Sequence, residues 1–406
     1  MSHVVIVGAG HAGGSVAAFL RQFGFAGPVT LIGAEPLPPY QRPPLSKAWL
    51  KGEAGADELL LKPASWYAEN AVDLRLSTTV EALDLDGRAV RLAGGHAIAF
   101  DRLVIATGAR ARALPVPGAD LYGVLALRNA ADAEALKTTL GPGRRLAVIG
   151  GGYVGLEAAA SARALGAEAV VIEREARVLA RVACPELSDF FTAYHRDRGV
   201  AFELGADVVE LTEAEGRVAG VRLGDGRVLP CDAALVGVGA IPNDEPARAA
   251  GLPCDGGVVV DAAARTARED VWAVGDVTRR PLPHYEDRPW RLESVPNALE
   301  QARLAACAIA GRPLPAPEAP WFWSDQYDLK LQIAGLPFEA DRRVVRGDPA
   351  AARFAVFHLM GGRVRAVEAV NAAPEFMAGR QLIARGASVD PVRLADPATP
   401  LKSLLA

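Results

Sequence analysis

Short apolar runs, each followed by a glycine-containing turn and an alanine-rich stretch, recur along this chain of 406 residues. The first run is Val4-Val5-Ile6-Val7, and a comparable run at residues 146–149 begins the same series of features again. A continuous apolar run of about four to eight residues, bounded by turn residues, is typical of a strand buried in a parallel sheet. The alanine-rich stretches have helical character, so the pattern predicts two βαβ units.

Each predicted unit continues with a second apolar run, at residues 29–32 and 169–172. Shorter alternating runs predict strands or a small hairpin sheet, and the chain ends in a segment of alternating strands with one short helix. The remaining predicted elements are 74–76, 79–85, 89–92 and 97–100 for the short strands, 103–109, 234–239 and 266–276 for strands that stop at a glycine turn, 352–359 and 364–369 for C-terminal strands, and 374–384 for the helix.

Both first runs lead into the spacing Gly-x-Gly-x-x-Gly. In a βαβ unit the first glycine permits a tight turn, the second lets the backbone approach a pyrophosphate, and the third packs the helix closely on the strand. The N-terminus of the helix then presents free N–H groups to the phosphates. A turn that only packs a helix would explain one bare copy, whereas two complete copies predict two bound dinucleotides. The glycines are Gly8, Gly10 and Gly13 in the first copy and Gly150, Gly152 and Gly155 in the second.

An acidic residue follows the second strand of each unit, Glu35 in the first and Glu173 in the second. A carboxylate at this position accepts hydrogen bonds from ribose hydroxyls and repels a 2′-phosphate. The second site is therefore expected to favour a dinucleotide without that phosphate, although the adjacent Arg174 opposes the preference.

A chain of this length is too long for one hydrophobic core, so two or three domains are expected. We predict an α/β fold with two Rossmann-like dinucleotide-binding domains, each with three layers around a parallel sheet, and a C-terminal α+β domain. The second dinucleotide-binding domain is predicted to interrupt the first, and a proline-rich linker at 312–320 precedes the C-terminal domain. The predicted boundaries are 1–112 and 246–318 for the first domain, 113–245 for the second and 319–406 for the C-terminal domain.

Charge and cysteine content limit the partners, the cellular location and the cysteine chemistry that can be expected. A net charge of −4 and a pI near 6.0 give no reason to expect nucleic acid or an acidic membrane surface as a partner. No apolar stretch approaches a membrane-spanning length and the N-terminus has no cleavage signal, so a cytoplasmic location is expected. The cysteines are scattered without a CxxC or a Cys/His cluster, which argues against a redox disulfide and a metal site. They are Cys184, Cys231, Cys254 and Cys307.

A series of motifs over essentially the whole chain carries a resemblance to a known family. The chain resembles the FAD-dependent, NADH-dependent ferredoxin reductases that serve bacterial oxygenases and cytochromes P450, the family of putidaredoxin reductase and rubredoxin reductase. The resemblance implies a glutathione-reductase-like architecture with FAD in the first domain and NADH in the second. The motifs are 8–13, 39–47 (Pro-Tyr-Gln-Arg-Pro-Pro-Leu-Ser-Lys), 106–108 (Ala-Thr-Gly), 150–157, 266–276, 291–295 (Arg-Leu-Glu-Ser-Val) and 321–326 (Trp-Phe-Trp-Ser-Asp-Gln).

The resemblance assigns FAD contacts to the first glycine loop and to several later segments. It implies the pyrophosphate on the three glycines, the adenosine ribose on Glu35 and the ribityl chain on Asp276. The structural alternatives are a solvated Arg42 and a helix-capping Asp276. Trp323 is a better candidate than Trp321 to pack at the ring system, although both could be core residues. The implied FAD residues are Gly8, Gly10, Gly13, Glu35, Arg42, Lys47, Val80, Ala106, Thr107, Gly108, Gly275, Asp276, Val295 and Trp323.

The resemblance likewise places NADH on the second glycine loop. Tyr153, inside that loop, is expected either to shield the flavin until the nicotinamide displaces it or to serve as a packing tyrosine. Gly237 and Gly239 end the last strand of the domain, where the backbone could approach the cofactor closely. The implied NAD residues are Gly150, Gly152, Tyr153, Val154, Gly155, Glu157, Glu173, Gly237 and Gly239.

The reaction centre is expected at Lys47 and Glu157. The resemblance puts Lys47 on the nicotinamide side of the flavin and Glu157 just past the second glycine loop. We predict that they form an ion pair near flavin N5, because a buried charge needs a partner. The alternative is two unrelated surface charges. His11 and His284 have no partner readable from the sequence, so neither is given a catalytic role.

The implied reaction is hydride transfer from NADH to FAD, followed by release of single electrons to a small [2Fe-2S] ferredoxin that feeds a cytochrome P450 or a Rieske oxygenase. Such ferredoxins are usually acidic, so a local basic patch should receive one. Rubredoxin is the less favoured acceptor. The candidate docking residues are Arg288, Arg291, Arg303 and Arg312.

Other activities share this architecture. A rubredoxin reductase, an NADH oxidase or a monodehydroascorbate reductase would carry the same two loops. A disulfide reductase is disfavoured, because residues 40–52, where its cysteine pair would stand, contain no cysteine. A non-enzymatic alternative is a binding protein of the apoptosis-inducing-factor type, for which a targeting segment or a long insertion would be a sign, and neither is evident.

Overall fold

The computed structural model describes residues 2–405 and divides into two compact units, each made of three separate stretches of chain. The first unit is Met1–Gln41, Ala56–Arg110 and Ile241–Phe322. The second unit is Arg42–Gly55, Ala111–Ala240 and Trp323–Ala406. The chain therefore leaves and re-enters each unit. The four-part domain boundaries given above stay a prediction.

A five-stranded parallel sheet lies at the centre of the first unit. Alternate residues of its central strand face different layers, as the two-residue repeat of a strand requires. Val4 and Ile6 share a buried cluster with residues of the helices His11–Gln22 and Val295–Ile309, whereas Val5 belongs to a cluster with residues of a small antiparallel sheet. The parallel strands, in spatial order, are Val271–Ala273, Arg102–Ile105, Val4–Val7, Val29–Ile32 and Val72–Arg75.

The other elements of the first unit are short. Its antiparallel sheet is Val80–Asp84, Ala89–Leu92 and Ala97–Ala99, and a further three-stranded sheet is Val258–Val259, Thr278–Leu282 and Arg288–Trp290. Its remaining helices are Ala56–Leu59, Ala64–Glu69 and Glu245–Ala249, with 3-10 turns at Gly275–Val277 and Pro283–Tyr285. Strands Ala109–Ala111 and Ala240–Pro242 lie where the chain changes units.

The second unit repeats this plan. In its five-stranded parallel sheet, Ala147 and Ile149 belong to a buried cluster with residues of a three-stranded antiparallel sheet. The parallel strands, in spatial order, are Val200–Leu204, Glu168–Glu173, Arg145–Ile149, Ala233–Val236 and Val124–Leu125. The antiparallel sheet is Val208–Ala214, Arg217–Leu223 and Val228–Pro230, and the helices are Ala130–Lys137, Tyr153–Ala164 and Pro185–Arg196, with a 3-10 turn at Pro43–Ser46.

The C-terminal part of the second unit is a five-stranded sheet covered by a helix. Gly379 of that helix permits close packing, because a Cβ there would lie 2.3 Å from the Val367 side chain of the sheet. The strands, in spatial order, are Trp321–Gln326, whose residues from Trp323 onward lie in this unit, Leu329–Gly335, Arg363–Val370, Arg353–Met360 and Arg342–Asp348. The helices are Ala373–Arg385 and Pro391–Ala395, with a 3-10 turn at Leu401–Leu404.

The predicted fold class, an α/β protein with two Rossmann-like domains and a C-terminal α+β part, is confirmed. Several strands are shorter than predicted, because they end where their partner strands end: the strand expected at 103–109 ends at Ile105, which pairs with Val7, and that at 234–239 ends at Val236, which pairs with Ile149. Of the run 74–76, residues 74 and 75 fall in the edge strand of the parallel sheet and not in the hairpin sheet. Among residues 2–405, every helix falls short of the length and apolarity that a membrane crossing needs.

Candidate nucleotide sites and reaction centre

The first glycine loop leaves no room for side chains. Gly8 has φ 112°, and a Cβ on it would lie 2.2 Å from the carbonyl oxygen of Ala106. A Cβ on Gly13 would lie 1.9 Å from the carbonyl oxygen of Gly8. The loop thus packs against residues 106–108, which the sequence also assigned to the FAD site, and against its own helix.

The N-terminus of the helix His11–Gln22 is suited to an anion. Gly10 precedes the helix with extended backbone, gives it no side-chain cap, and the first turn contains no acidic residue. The first N–H groups of a helix have no partner within the helix, and they carry the positive end of its dipole. The loop therefore fits the pyrophosphate of FAD.

Gly275 and Asp276 lie close to this helix N-terminus. A Cβ on Gly275 would lie 3.0 Å from Cβ of Ala12, and Gly275 has φ 81°. The Gly275 N–H donates to Oε1 of Gln301 at 2.8 Å, and the Thr278 hydroxyl donates to the same oxygen at 2.9 Å. These bonds fix the turn that presents the half-buried Asp276 beside the first glycine loop.

Other predicted FAD residues of the first unit are anchored by the fold. The Thr107 hydroxyl donates to the Asn243 carbonyl at 2.8 Å, and the Asn243 amide donates to the Thr107 carbonyl at 2.9 Å. The Tyr40 hydroxyl donates to Oε2 of Glu35 at 2.5 Å. Val80 packs against the core cluster of Val5, and Val295 begins a helix that the Ser294 side chain caps. Their contacts with FAD stay predictions.

The second glycine loop has the geometry of the first. A Cβ on Gly150 would lie 2.4 Å from the carbonyl oxygen of Gly237, and one on Gly155 would lie 2.3 Å from that of Gly150. Gly152 precedes the helix Tyr153–Ala164 without a side-chain cap, and a Cβ on it would meet no atom within 4 Å. That open approach to a bare helix N-terminus fits the pyrophosphate of a second dinucleotide.

Glu173 is held beside the second loop. Its Oε2 accepts the Gly151 N–H at 2.7 Å, and its Oε1 accepts the Glu175 N–H at 2.9 Å. Arg174 is exposed and pairs with Glu175 at 3.6 Å. The carboxylate is therefore fixed where the sequence predicts the adenosine ribose, and the guanidinium next to it in the chain has an acidic neighbour of its own.

Tyr153, the first residue of this helix, is half-buried. Its hydroxyl donates to the Val182 carbonyl at 3.3 Å. Burial raises the pKa of Tyr153 well above its usual value, and the nearby carboxylate of Glu368 raises it further. Of the other predicted NAD residues, Val154 is exposed, and the carbonyl of Gly239 accepts the Arg112 N–H at 2.9 Å. Whether Tyr153 shields the flavin stays a prediction.

Lys47 and Glu157 form an ion pair in the second unit. Nζ of Lys47 lies 2.6 Å from Oε2 of Glu157, with 18% and 6% of the two side chains exposed. The ammonium also donates to the Pro43 carbonyl at 2.8 Å. The alternative of two unrelated surface charges is wrong. The place of this pair beside the flavin stays a prediction.

Two serines that the sequence analysis did not select complete the surroundings of Glu157. The Ser46 hydroxyl donates to Oε2 of Glu157 at 2.5 Å, and the Ser324 hydroxyl donates to Oε1 at 2.6 Å. Ser46 lies in the motif 39–47, next to Lys47, and Ser324 lies in the motif 321–326, next to Trp323. These neighbours were the feature of the sequence that could have identified the two serines. The carboxylate thus receives three donors from side chains while remaining 5% exposed.

Beyond Ser324 the hydrogen bonds continue to a histidine. Nε2 of Gln326 donates to Oγ of Ser324 at 3.1 Å, and Nε2 of His195 lies 2.8 Å from Oε1 of Gln326. His195 is fully buried, and burial lowers its pKa to about 4; the charge of Arg198 lowers it too, whereas the bond to Gln326 opposes the shift. His195 is therefore neutral at neutral pH.

A second buried polar group joins the helix Pro185–Arg196 to the C-terminal sheet. Glu368 accepts the N–H of Cys184 at 3.0 Å, and Nε2 of His358 lies 2.9 Å from its Oε1. Burial raises the pKa of the Cys184 thiol, and the nearby Glu368 raises it further. The side chains of Cys184, His358 and Glu368 are close enough together to bind one metal ion. Glu368, however, already accepts the N–H of Cys184 at the start of the helix, as a helix cap does.

Of the other predicted residues, Arg42 donates to the Arg128 carbonyl at 2.5 Å, and Trp323 is half-buried in the C-terminal sheet. Among the docking candidates, Arg291 pairs with Glu293 and Arg312 donates to the Phe23 carbonyl at 2.9 Å. The exposed docking candidates are Arg288, Arg303 and Arg312. The roles of all these residues stay predictions.

Comparisons with known proteins cover nearly the whole chain. A family model for pyridine nucleotide-disulphide oxidoreductases matches residues 2–302, and a reductase C-terminal model matches residues 321–405. A probable ferredoxin reductase, CtmF of Castellaniella defragrans, is 53% identical over 401 residues, which cover 99% of this chain and 98% of that protein. In the covalent putidaredoxin reductase–putidaredoxin complex, the similar chain has a TM-score of 0.97 and 42% identity, covering 100% of this chain and 98% of that one. The ferredoxin reductase for the CYP199A2 system of Rhodopseudomonas palustris has a TM-score of 0.96 and 42% identity, covering 100% of both chains.

The buried His195 makes stability depend on pH. In the unfolded chain histidine has a pKa of about 6.5, so between that pH and about 4 the unfolded state binds a proton that the folded state refuses. The free energy of unfolding therefore falls as the pH drops through this window, by at most about 1.4 kcal/mol per pH unit from this group. We expect His195→Gln to lose less stability than the parent between pH 7 and pH 5, measured by thermal unfolding, with His284→Gln as control. Equal losses in the parent and in His195→Gln would contradict the assignment.

Proposed function

The chain belongs to the pyridine nucleotide-disulphide oxidoreductase family, and on that premise we propose that it is the NADH-dependent, FAD-containing reductase of a small [2Fe-2S] ferredoxin. That ferredoxin feeds a cytochrome P450 or another oxygenase. One observation carries the proposal: two glycine-loop helices whose N-termini have no side-chain cap occur in a chain that ferredoxin reductases match over nearly their full length.

The overall reaction balances without any other co-reactant. One NADH and two oxidised ferredoxins yield NAD⁺, a proton and two singly reduced ferredoxins. FAD, when bound, supplies the change from a two-electron donor to a one-electron acceptor. The protein supplies binding and orientation, since hydride transfer depends on the alignment of donor and acceptor more than on an acid or a base.

Nucleotide binding is the part of this task that the backbone performs. We propose that Gly8, Gly10 and Gly13 hold the FAD pyrophosphate with Asp276 on the ribityl chain, because Gly275 lies against the start of the same helix. Gly152 and its neighbours would hold NADH in the same manner. Backbone N–H groups at a helix N-terminus are suited to both diphosphates.

Lys47 and Glu157 are proposed as the charged pair beside the flavin ring. An ammonium that is fixed in a partly dehydrated site stabilises negative charge that develops near it, and it needs no rearrangement to do so. The role of Glu157 is to hold that ammonium in place with its Oε2. Support comes from the 2.6 Å contact and from the burial of the carboxylate.

The preference for NADH is proposed to rest on Glu173. Its carboxylate is fixed by the N–H groups of Gly151 and Glu175 and cannot turn away without losing them. A 2′-phosphate would therefore meet a fixed negative charge. A cytoplasmic location, expected from the sequence, also stays a proposal.

The direct test of the function is anaerobic mixing of the FAD-loaded protein with NADH. We expect the visible absorbance of the oxidised flavin to bleach, because hydride transfer reduces the flavin, and to return when an oxidised [2Fe-2S] ferredoxin is added. Ferricyanide serves as a control acceptor. Flavin that NADH does not bleach would overturn the assignment, and flavin that ferricyanide but no ferredoxin reoxidises would contradict the proposed acceptor.

The test of cofactor preference is Glu173→Gln. This change removes the charge and keeps one oxygen that can accept the Gly151 N–H, while the bond from the Glu175 N–H to the other oxygen is lost. We expect the ratio of kcat/KM for NADH to that for NADPH to fall about tenfold, as loss of one charge–charge repulsion of about 1.4 kcal/mol would give. Glu175→Gln, at an exposed position two residues further along the chain, is the matched control. A ratio that stays unchanged in Glu173→Gln would remove this residue from the explanation.

A further inference from the structure

A line of buried hydrogen bonds runs within the second unit, from the Lys47–Glu157 pair to His195. Its members are Glu157, Ser324, Gln326 and His195, and their exposed fractions are 5% or less. Buried polar groups that satisfy one another rigidify their surroundings, whereas a broken link leaves a donor or an acceptor unpaired. The line therefore has a defined geometry that a single substitution can interrupt.

The strand Trp321–Gln326 explains how two of these residues reach the same line. Successive side chains of a strand point to opposite faces, so Ser324 and Gln326 share one face. Both are buried, whereas Trp323, just before them, and Asp325, between them, are half-buried. One face of the strand is thus given to the hydrogen bonds, and the other carries the tryptophan that the sequence assigned to the flavin.

The carboxylate gives the line a direction. An ionised Glu157 can only accept, so the Ser324 hydroxyl must donate to it, and Ser324 must in turn accept from the Gln326 amide. The carbonyl of Gln326 then accepts from Nε2 of His195, which fixes the proton of the neutral imidazole on Nε2. Every donor on this side therefore points toward Glu157.

We propose that Ser324 is a positioning residue for the reaction centre. Its hydroxyl holds Oε1 of Glu157, which keeps Oε2 turned toward Lys47, with Gln326 and His195 holding Ser324 itself. The inference rests on the proposed function, because it gives Lys47 its effect on the flavin. The role of Ser324 is a separate proposal, since Lys47 and Glu157 could act without any help from Ser324.

The test compares Ser324→Ala with Ser188→Ala in the FAD-loaded protein. Ser188 is equally buried and hydrogen-bonded, to the Val178 carbonyl at 2.6 Å, but does not contact Glu157. For Ser324→Ala we expect the limiting rate of flavin reduction by NADH to fall about tenfold, as loss of one hydrogen bond to a charged group predicts. The apparent dissociation constant for NADH should change less than twofold, and the flavin midpoint potential should become more negative.

Two further variants keep the test informative. Ser324→Thr retains the hydroxyl and should restore most of the rate, and Gln326→Met, which breaks only the next link, should lower it about threefold. Wild-type rate and potential in a folded Ser324→Ala protein would overturn the inference. Equal losses in Ser324→Ala and Ser188→Ala would do the same, since they would indicate general loosening. Failure of NADH to reduce even the wild-type flavin would instead refute the proposed function.

Discussion

A carboxylate that is almost fully buried, Glu157, sets the condition on which the proposed reaction centre depends. Such a charge persists inside a protein only when donors surround it. Here Ser46 and Lys47 come from one stretch of chain, in which Lys47 is 110 residues from Glu157. Ser324 comes from the C-terminal strand and is 167 residues from Glu157. The requirement of one side chain therefore holds three distant segments of the second unit together, and it leaves the Lys47 ammonium in a fixed place.

The nucleotide sites depend on a different condition, the close approach of backbone to backbone. In each unit the first glycine of the loop lies against a carbonyl at the end of a neighbouring strand, at Ala106 for Gly8 and at Gly237 for Gly150. The third glycine lies against the carbonyl of the first in both loops. The same steric arrangement thus occurs twice, and in both copies it leads into a helix N-terminus without a side-chain cap, where we propose that the phosphates bind.

The sequence predicted those features that depend on local pattern. Val4–Val7 was readable as a strand because it is continuously apolar, and the glycine loops were readable because steric limits leave no alternative residue there. The strand ends at Ile105 and Val236 were not, since they depend on where the partner strands Val4–Val7 and Arg145–Ile149 end. Lys47 and Glu157 were paired only through the family resemblance. Ser324 was missed because a serine in a strand is ordinarily a solvated residue, and nothing in its spacing indicates a partner 167 residues away.

We propose that the fixed Lys47 ammonium stabilises negative charge on the reduced flavin, and the flavin midpoint potential measures this stabilisation most directly. In Lys47→Met the cation is lost while most of the length of the side chain is kept. We expect a potential more negative than the wild-type value by about 30 mV, which is a tenfold change for a two-electron couple. Lys51→Met, which removes a lysine paired with the exposed Glu53, should leave the potential unchanged. A wild-type potential in Lys47→Met protein that still binds FAD would show that Lys47 does not stabilise the reduced flavin.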